Sequence, residues 1–250
     1  MNDIDDADGS PASLDWDGWR HALVRFAAAT ELCVCVYDQD LARQAGPLAS
    51  SKVARLLVNS GVWNEDRRAE VAAAMEATGA TFAPTTLATT VARLDAYTAE
   101  LAAAATRACM HAEVEGADAP QVHEVTRVCL DERRTELDEL VALLVVADAA
   151  IVRNAVEAVS GLSDIATCED PSYQRRRSDT RESALATAEV RRQVARVHAM
   201  VATGATGEAL KVAREAMDAA ETSGDMVLRA RARLLLGRVL YHVKIGRAHV

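Results

Sequence analysis

The sequence predicts an all-α protein, and three observations carry that prediction. Half of the residues are apolar, yet they are chiefly alanine, valine and leucine, with only two Phe, three Trp and four Tyr. Small side chains of good helix propensity suit packed helices better than a β-sandwich. Beyond about residue 50, apolar positions recur at steps of three and four, the period of an amphipathic helix. The one alternating stretch, Leu32, Val34 and Val36 in ELCVCVYDQD, is confined to the N-terminal part, where it marks a strand. Antiparallel helical hairpins leading into a helical repeat (an α-solenoid), preceded by a small helix-strand segment, are therefore expected.

Taken in order, residues 1–13 (MNDIDDADGSPAS) are acidic and small, an expected disordered leader. Residues 14–48 form the helix-strand segment, with Trp19, Leu23, Phe26 and Ala27 on one helical face, and QAGPLASS ends it. A helical hairpin domain is expected over 49–165, with helices at about 50–59, 64–78, 85–113, 120–146 and 148–160. A linker over 166–180 then leads to repeats over 181–244, with helices at about 181–203, 206–222 and 226–243.

The two long central helices are the best determined. Val91, Leu94, Thr98, Leu101, Ala105 and Ala108 make one continuous face, and Leu130, Leu137, Val141 and Leu144 make the other. The charged run DERRTELDE, including Glu136, is expected to face water. In the link EGADAP, Gly116 is a stop, Asp118 an N-cap and Pro120 a first-turn residue. So short a link makes an antiparallel hairpin.

Charge narrows the partners. The formal net charge is −9, and Asp3, Asp5, Asp6, Asp8, Asp15 and Asp17 all precede the first basic residue, Arg20. No long basic stripe remains to grip a phosphate backbone, so no nucleic acid is expected. No apolar run reaches the roughly 20 residues of a membrane span, and no secretory leader is present, so the chain as written reads as cytoplasmic. Five cysteines at wide spacings do not suggest a disulfide scaffold. Cys33 and Cys35 read as buried small hydrophobes rather than metal ligands. Cys109 and Cys129 flank the central link but are offset by more than a turn, so core thiols are expected unless the compartment is oxidising. His111 and His123 read as surface residues. Arg175, Arg176 and Arg177 precede Ser178, a candidate phosphosite in what otherwise reads as a solvated linker.

The repeat lies in GATGEALKVAREAMDAAETSGD, where Gly204 ends one helix and Ala209, Ala213 and Ala216 line the next. This resembles the second half of a tetratricopeptide repeat (TPR), whose paired helices need small residues where they cross. Leu236, Gly237 and Leu240 are similar to that repeat's leucine-glycine and aromatic positions, with Gly237 placed for a close helix approach. The position equivalent to Gly204 is Lys244, forty residues on rather than the family's roughly 34, and Arg233 stands where the usual Trp would be. The tail KIGRAHV looks like the translation of a sequencing adapter, so residues 245–250 are set aside and the chain is expected to be a fragment. A truncated repeat should leave Leu235, Leu236 and Leu240 partly exposed and open to self-association.

A wider resemblance covers about residues 61–243. Val62, Trp63, Arg67, Gly79, Leu94, Asp95, Tyr97, Cys109, Gly116, Cys129, Leu130 and Cys168 occur in an order similar to the helical, TPR-containing region that follows the catalytic domain of myxobacterial-type serine/threonine protein kinases. The resemblance implies an upstream kinase domain in the parent protein. It also implies an extracytoplasmic position if that family's membrane helix lies upstream. Within this chain no phosphate loop, strand lysine, catalytic-loop Asp and Asn, or metal-holding Asp before Phe-Gly occurs. No catalytic, cofactor or metal residues are therefore assigned. The expected function is a non-catalytic regulatory scaffold that holds a protein or peptide on the repeat's concave face. The rival is a fragment of a signalling sensor, because residues 19–48 resemble the opening of a small α/β ligand-sensing domain.

Overall fold

The computed structural model describes residues 62–114, 120–177 and 181–248. The expected strand, the helix near 50–59, Cys33, Cys35, the link residues Gly116 and Asp118, and Ser178 lie outside the described residues, as do the side chains of Cys109 and His111. Among the described residues there are nine α-helices, one 3-10 turn and no strand. They are α1 (Glu65–Ala77), α2 (Ala83–Val114), α3 (Pro120–Leu144), α4 (Ala149–Ser160), the 3-10 turn Ala166–Glu169, α5 (Pro171–Arg176), α6 (Arg181–Ala186), α7 (Ala188–Thr203), α8 (Thr206–Thr222) and α9 (Met226–Ala248).

The starts of these helices follow from side-chain caps. Asn64 accepts from the Arg67 amide at 2.9 Å, and Asp148 accepts from Ala150 and Ile151. Asp225 accepts from the amides of Val227 and Leu228 at 2.8 and 3.0 Å. Each satisfies backbone donors that the first turn leaves without a helical partner.

The central hairpin packs as its apolar stripes predict. Leu94 shares a buried cluster with Leu137, Leu140 and Leu144, while Leu101 and Ala104 share another with Cys129 and Leu130. Advancing along α2 therefore runs back along α3, which is the antiparallel arrangement. α1 and α4 close the first cluster with Trp63, Val71, Met75, Val152, Ala155 and Val159. Near it, Trp63 Nε1 donates to Asp95 at 2.8 Å, Arg68 pairs with the same carboxylate at 2.5 Å, and the Arg68 guanidinium lies over the indole.

The hairpins and the following helices are packed continuously. α7 contributes Ala199 to the first cluster, and Leu143 of α3 packs against the cluster built by α7, α8 and α9. Asn154 of α4 donates to Thr203 O at 3.0 Å, tying α4 to the end of α7. Directly after it, Gly204 adopts φ 77°, and a Cβ there would lie 2.7 Å from Asn154 Nδ2. Both the left-handed backbone and the space call for glycine.

Several expectations are corrected. Residues 166–177 are not a solvated linker: the 3-10 turn and α5 pack onto α3, with Arg107 bidentate to Glu169 at 2.8 Å. Cys129 is not a free core thiol, because it is disulfide-bonded to Cys168, with the two Cα atoms 5.5 Å apart. The partner was missed because only the return of the chain after α4 brings Cys168 onto α3. The helix expected over 181–203 breaks at Thr187, whose hydroxyl donates back to Ser183 O and Ala184 O, a local competitor of helix geometry. α9 continues past Val243 to Ala248. His123 is half-buried rather than a surface residue, and its Nε2 has no hydrogen-bond partner among the described residues.

Candidate functional site

Part of the charged run of α3 faces inward, contrary to its reading as a solvated face, while Asp131 is exposed. Glu132 and Arg133 are buried, and Glu136 is largely shielded. Around Glu132 the chain gathers guanidinium groups from three later segments. Arg177, just after α5, donates to Glu132 Oε1 at 3.0 Å, Arg191 of α7 pairs with the same oxygen, and Arg231 of α9 donates to Oε2 at 3.1 Å. Arg191 also reaches Asp225 at 3.3 Å. Burial pushes the Glu132 carboxyl upward, but Arg231, Arg177, Arg191 and Arg133 outweigh it and hold the group below the usual carboxylate range. A carboxylate so placed stays ionised, and it draws three elements onto α3.

This network forms one end of an open cleft of about 250 Å³ between α3, α7 and α9. α3 supplies Glu132, Thr135 and Glu136; α7 supplies Arg191, Val194, Ala195 and His198; α9 supplies Arg231, Leu234, Leu235 and Arg238. The two last sets correspond position by position. Arg191 and Arg231, Val194 and Leu234, Ala195 and Leu235, His198 and Arg238 are each forty residues apart. α7 and α9 thus present four positions at one fixed sequence spacing to the same cleft.

The walls differ in charge. The Glu136 carboxylate is satisfied by Arg133 at 2.9 Å and by the Ser163 amide at 3.3 Å. Burial lowers the His198 pKa, with Glu136 opposing and Arg238, Arg231 and Arg133 reinforcing the shift, so its ring favours the neutral form. On α9, Arg238 is exposed and has no carboxylate partner among the described residues.

The residues singled out for the repeat fall partly together. Ala209, Ala213 and Ala216 are buried between α7, α8 and α9, and Gly204 makes the α7–α8 turn. Leu236 packs at the edge of that cluster, and Leu240 is exposed. Gly237 does not mark a close approach, since a methyl there would meet nothing within 4 Å. None of these lines the cleft. Its residues were missed because they read as surface charges, although aligning the chain on itself at forty residues places Arg191 on Arg231.

Among the described residues no three His, Cys, Asp or Glu side chains gather as a metal site requires, and no helix is long and apolar enough to cross a membrane. No protein-family model, curated protein or solved structure matches this chain.

Proposed function

We propose that this chain is a non-catalytic protein–protein interaction and regulatory scaffold of TPR-like construction, similar to the helical region of bacterial serine/threonine protein kinases. The observation that carries the reading is the cleft, built from equivalent positions of α7 and α9. A solenoid presents repeated first helices along one concave surface, and extended peptides lie there. The buried Ala209, Ala213 and Ala216 support the same reading, because small residues let α8 approach its neighbours closely.

Residues on which the kinase-region resemblance rests take part in tertiary contacts: Trp63 bonds Asp95, the Tyr97 hydroxyl donates to Ser163 O at 3.0 Å, and Cys129 is bridged to Cys168. The bridge also favours the extracytoplasmic alternative over the cytoplasmic one, because disulfides persist in oxidising compartments.

Peptides selected from a random display library against the purified chain test the scaffold. Thr135→Trp places an indole in the cleft from α3, where Thr135 is part of the lining. The selected peptides should lose binding to this variant. If they bind it unchanged, the cleft is not the docking surface. The same preparation should show no melting shift with magnesium-ATP and should transfer no phosphate.

A further inference from the structure

We propose that the cleft takes an extended acidic peptide segment from a partner protein, its two carboxylates straddling an apolar side chain. The proposal rests on the scaffold reading and specifies its ligand.

On α9, Arg231, Leu234, Leu235 and Arg238 follow one another at steps of three, one and three along the cleft. Seven residues separate the two arginines, so their stems stand about 10 Å apart along the helix axis. Leu234 lies between them and is 66% exposed. The acidic charges inside the cleft are already neutralised: Glu132 by Arg177, Arg191 and Arg231, and Glu136 by Arg133. Arg238, which is exposed, and Arg231, whose side chain is 34% exposed although it pairs with Glu132, both line the cleft and are accessible to an incoming group. The α9 wall is therefore cationic, while Val194, Ala195 and Leu235 make an apolar floor.

That pattern selects the occupant. A lone anion would satisfy one arginine and leave the floor wet. An apolar peptide would desolvate the guanidinium groups without pairing them, which is costly. In an extended polyproline-II chain every third residue falls on the same side, about 9 Å apart. An Asp-x-x-Asp segment thus sets one carboxylate on each arginine and turns an intervening leucine to the floor. Arginine favours such pairing because its planar fork can bond both carboxylate oxygens.

Fluorescence polarisation with labelled Gly-Ser-Asp-Leu-Pro-Asp-Ser-Gly, its Asn-Leu-Pro-Asn counterpart and the full chain tests this. The acidic peptide should bind at least about tenfold more tightly, with an advantage that shrinks as salt rises. Arg238→Gln, at an exposed position, should remove most of that advantage. If both peptides bind equally and both are blocked by Thr135→Trp, the cleft is a peptide site but its acidic preference is wrong. If neither binds and display-selected peptides ignore Thr135→Trp, the scaffold reading fails as well. Deleting residues 1–17 separates the remaining occupant: unchanged affinity supports a partner segment, whereas a tenfold rise assigns the cleft to the chain's own acidic leader and overturns the proposal.

Discussion

Glu132 and Arg177 lie forty-five residues apart in sequence and 3.0 Å apart in space, with side chains 5% and 8% exposed. Removing the carboxylate takes from Arg177, Arg191 and Arg231 a counter-charge they share, Arg191 keeping Asp225. Breaking a buried pair from one side costs up to about 3–5 kcal/mol. Glu132→Gln should therefore unfold at markedly lower urea concentration at pH 7. The pH dependence has a definite sign. The folded pKa lies below the unfolded one, so the stabilisation is complete above the ordinary glutamate value of about 4.3 and is lost as pH falls through the folded value. The gap between native chain and variant should begin to narrow below about pH 4.3 and close once pH has fallen past the folded value. A gap that stays constant to pH 3 would show that Glu132 is not the titrating group.

The Cys129–Cys168 bridge closes a loop of thirty-nine residues, and a loop of that size stabilises by about 2–4 kcal/mol. Cys168→Ser should lower the melting temperature, and dithiothreitol should lower that of the native chain but leave the variant unchanged. Alkylation followed by peptide mass analysis should find Cys129 and Cys168 protected until reduction. If both are labelled in the unreduced folded chain, the bridge does not form.

The helices were legible because their signals are local. Steps of three and four found α2 and α3, and Leu101 and Leu137 are both buried as their stripes require. Gly204 marked the α7–α8 turn because a left-handed residue after a helix is a chain-local need. The cleft was not legible for the opposite reason. Nothing near Glu132 in sequence distinguishes it from Asp131, and its partners arrive from positions 177, 191 and 231. Charge runs are usually solvated, so burial of this one depends on tertiary contacts that periodicity does not report. Cys129 was similarly ambiguous until the chain's return over α3 placed Cys168 beside it.

Gly204→Ala tests the turn. Left-handed backbone costs a non-glycine residue about 1–2 kcal/mol, and the new methyl would also displace Asn154 Nδ2 from Thr203 O. These two effects separate in a double-mutant cycle with Asn154→Ala. The methyl should cost less when Asn154 is already truncated, with only the backbone part remaining. Equal costs in both backgrounds would mean that Asn154 gives way freely.

An exposed apolar stripe of α9, which meets the cleft at Leu234, leads to a prediction about association. The sequence led us to expect Leu235, Leu236 and Leu240 to be partly exposed; Leu235 is instead buried and Leu236 packs at the cluster edge, while Leu240 is 46% and Tyr241 64% exposed. Val227, Leu234 and Tyr241 recur every seven residues and so share one stripe, with Ala230 and Gly237 between them. An apolar stripe of this kind favours pairing with a second copy. The stripe runs from Val227 to Tyr241, which gives about 22 Å of length at roughly 1.5 Å per residue. A stripe about 10 Å wide then buries roughly 450 Å² over both partners, below the roughly 1,000 Å² that a stable specific interface needs. The outcome should be a weak, concentration-dependent dimer, visible by sedimentation at high protein concentration and absent when dilute. Val227→Lys with Tyr241→Lys should abolish it while leaving the dilute melting curve within error, because both side chains are exposed. A tight dimer that survives the double substitution would place the contact on another surface.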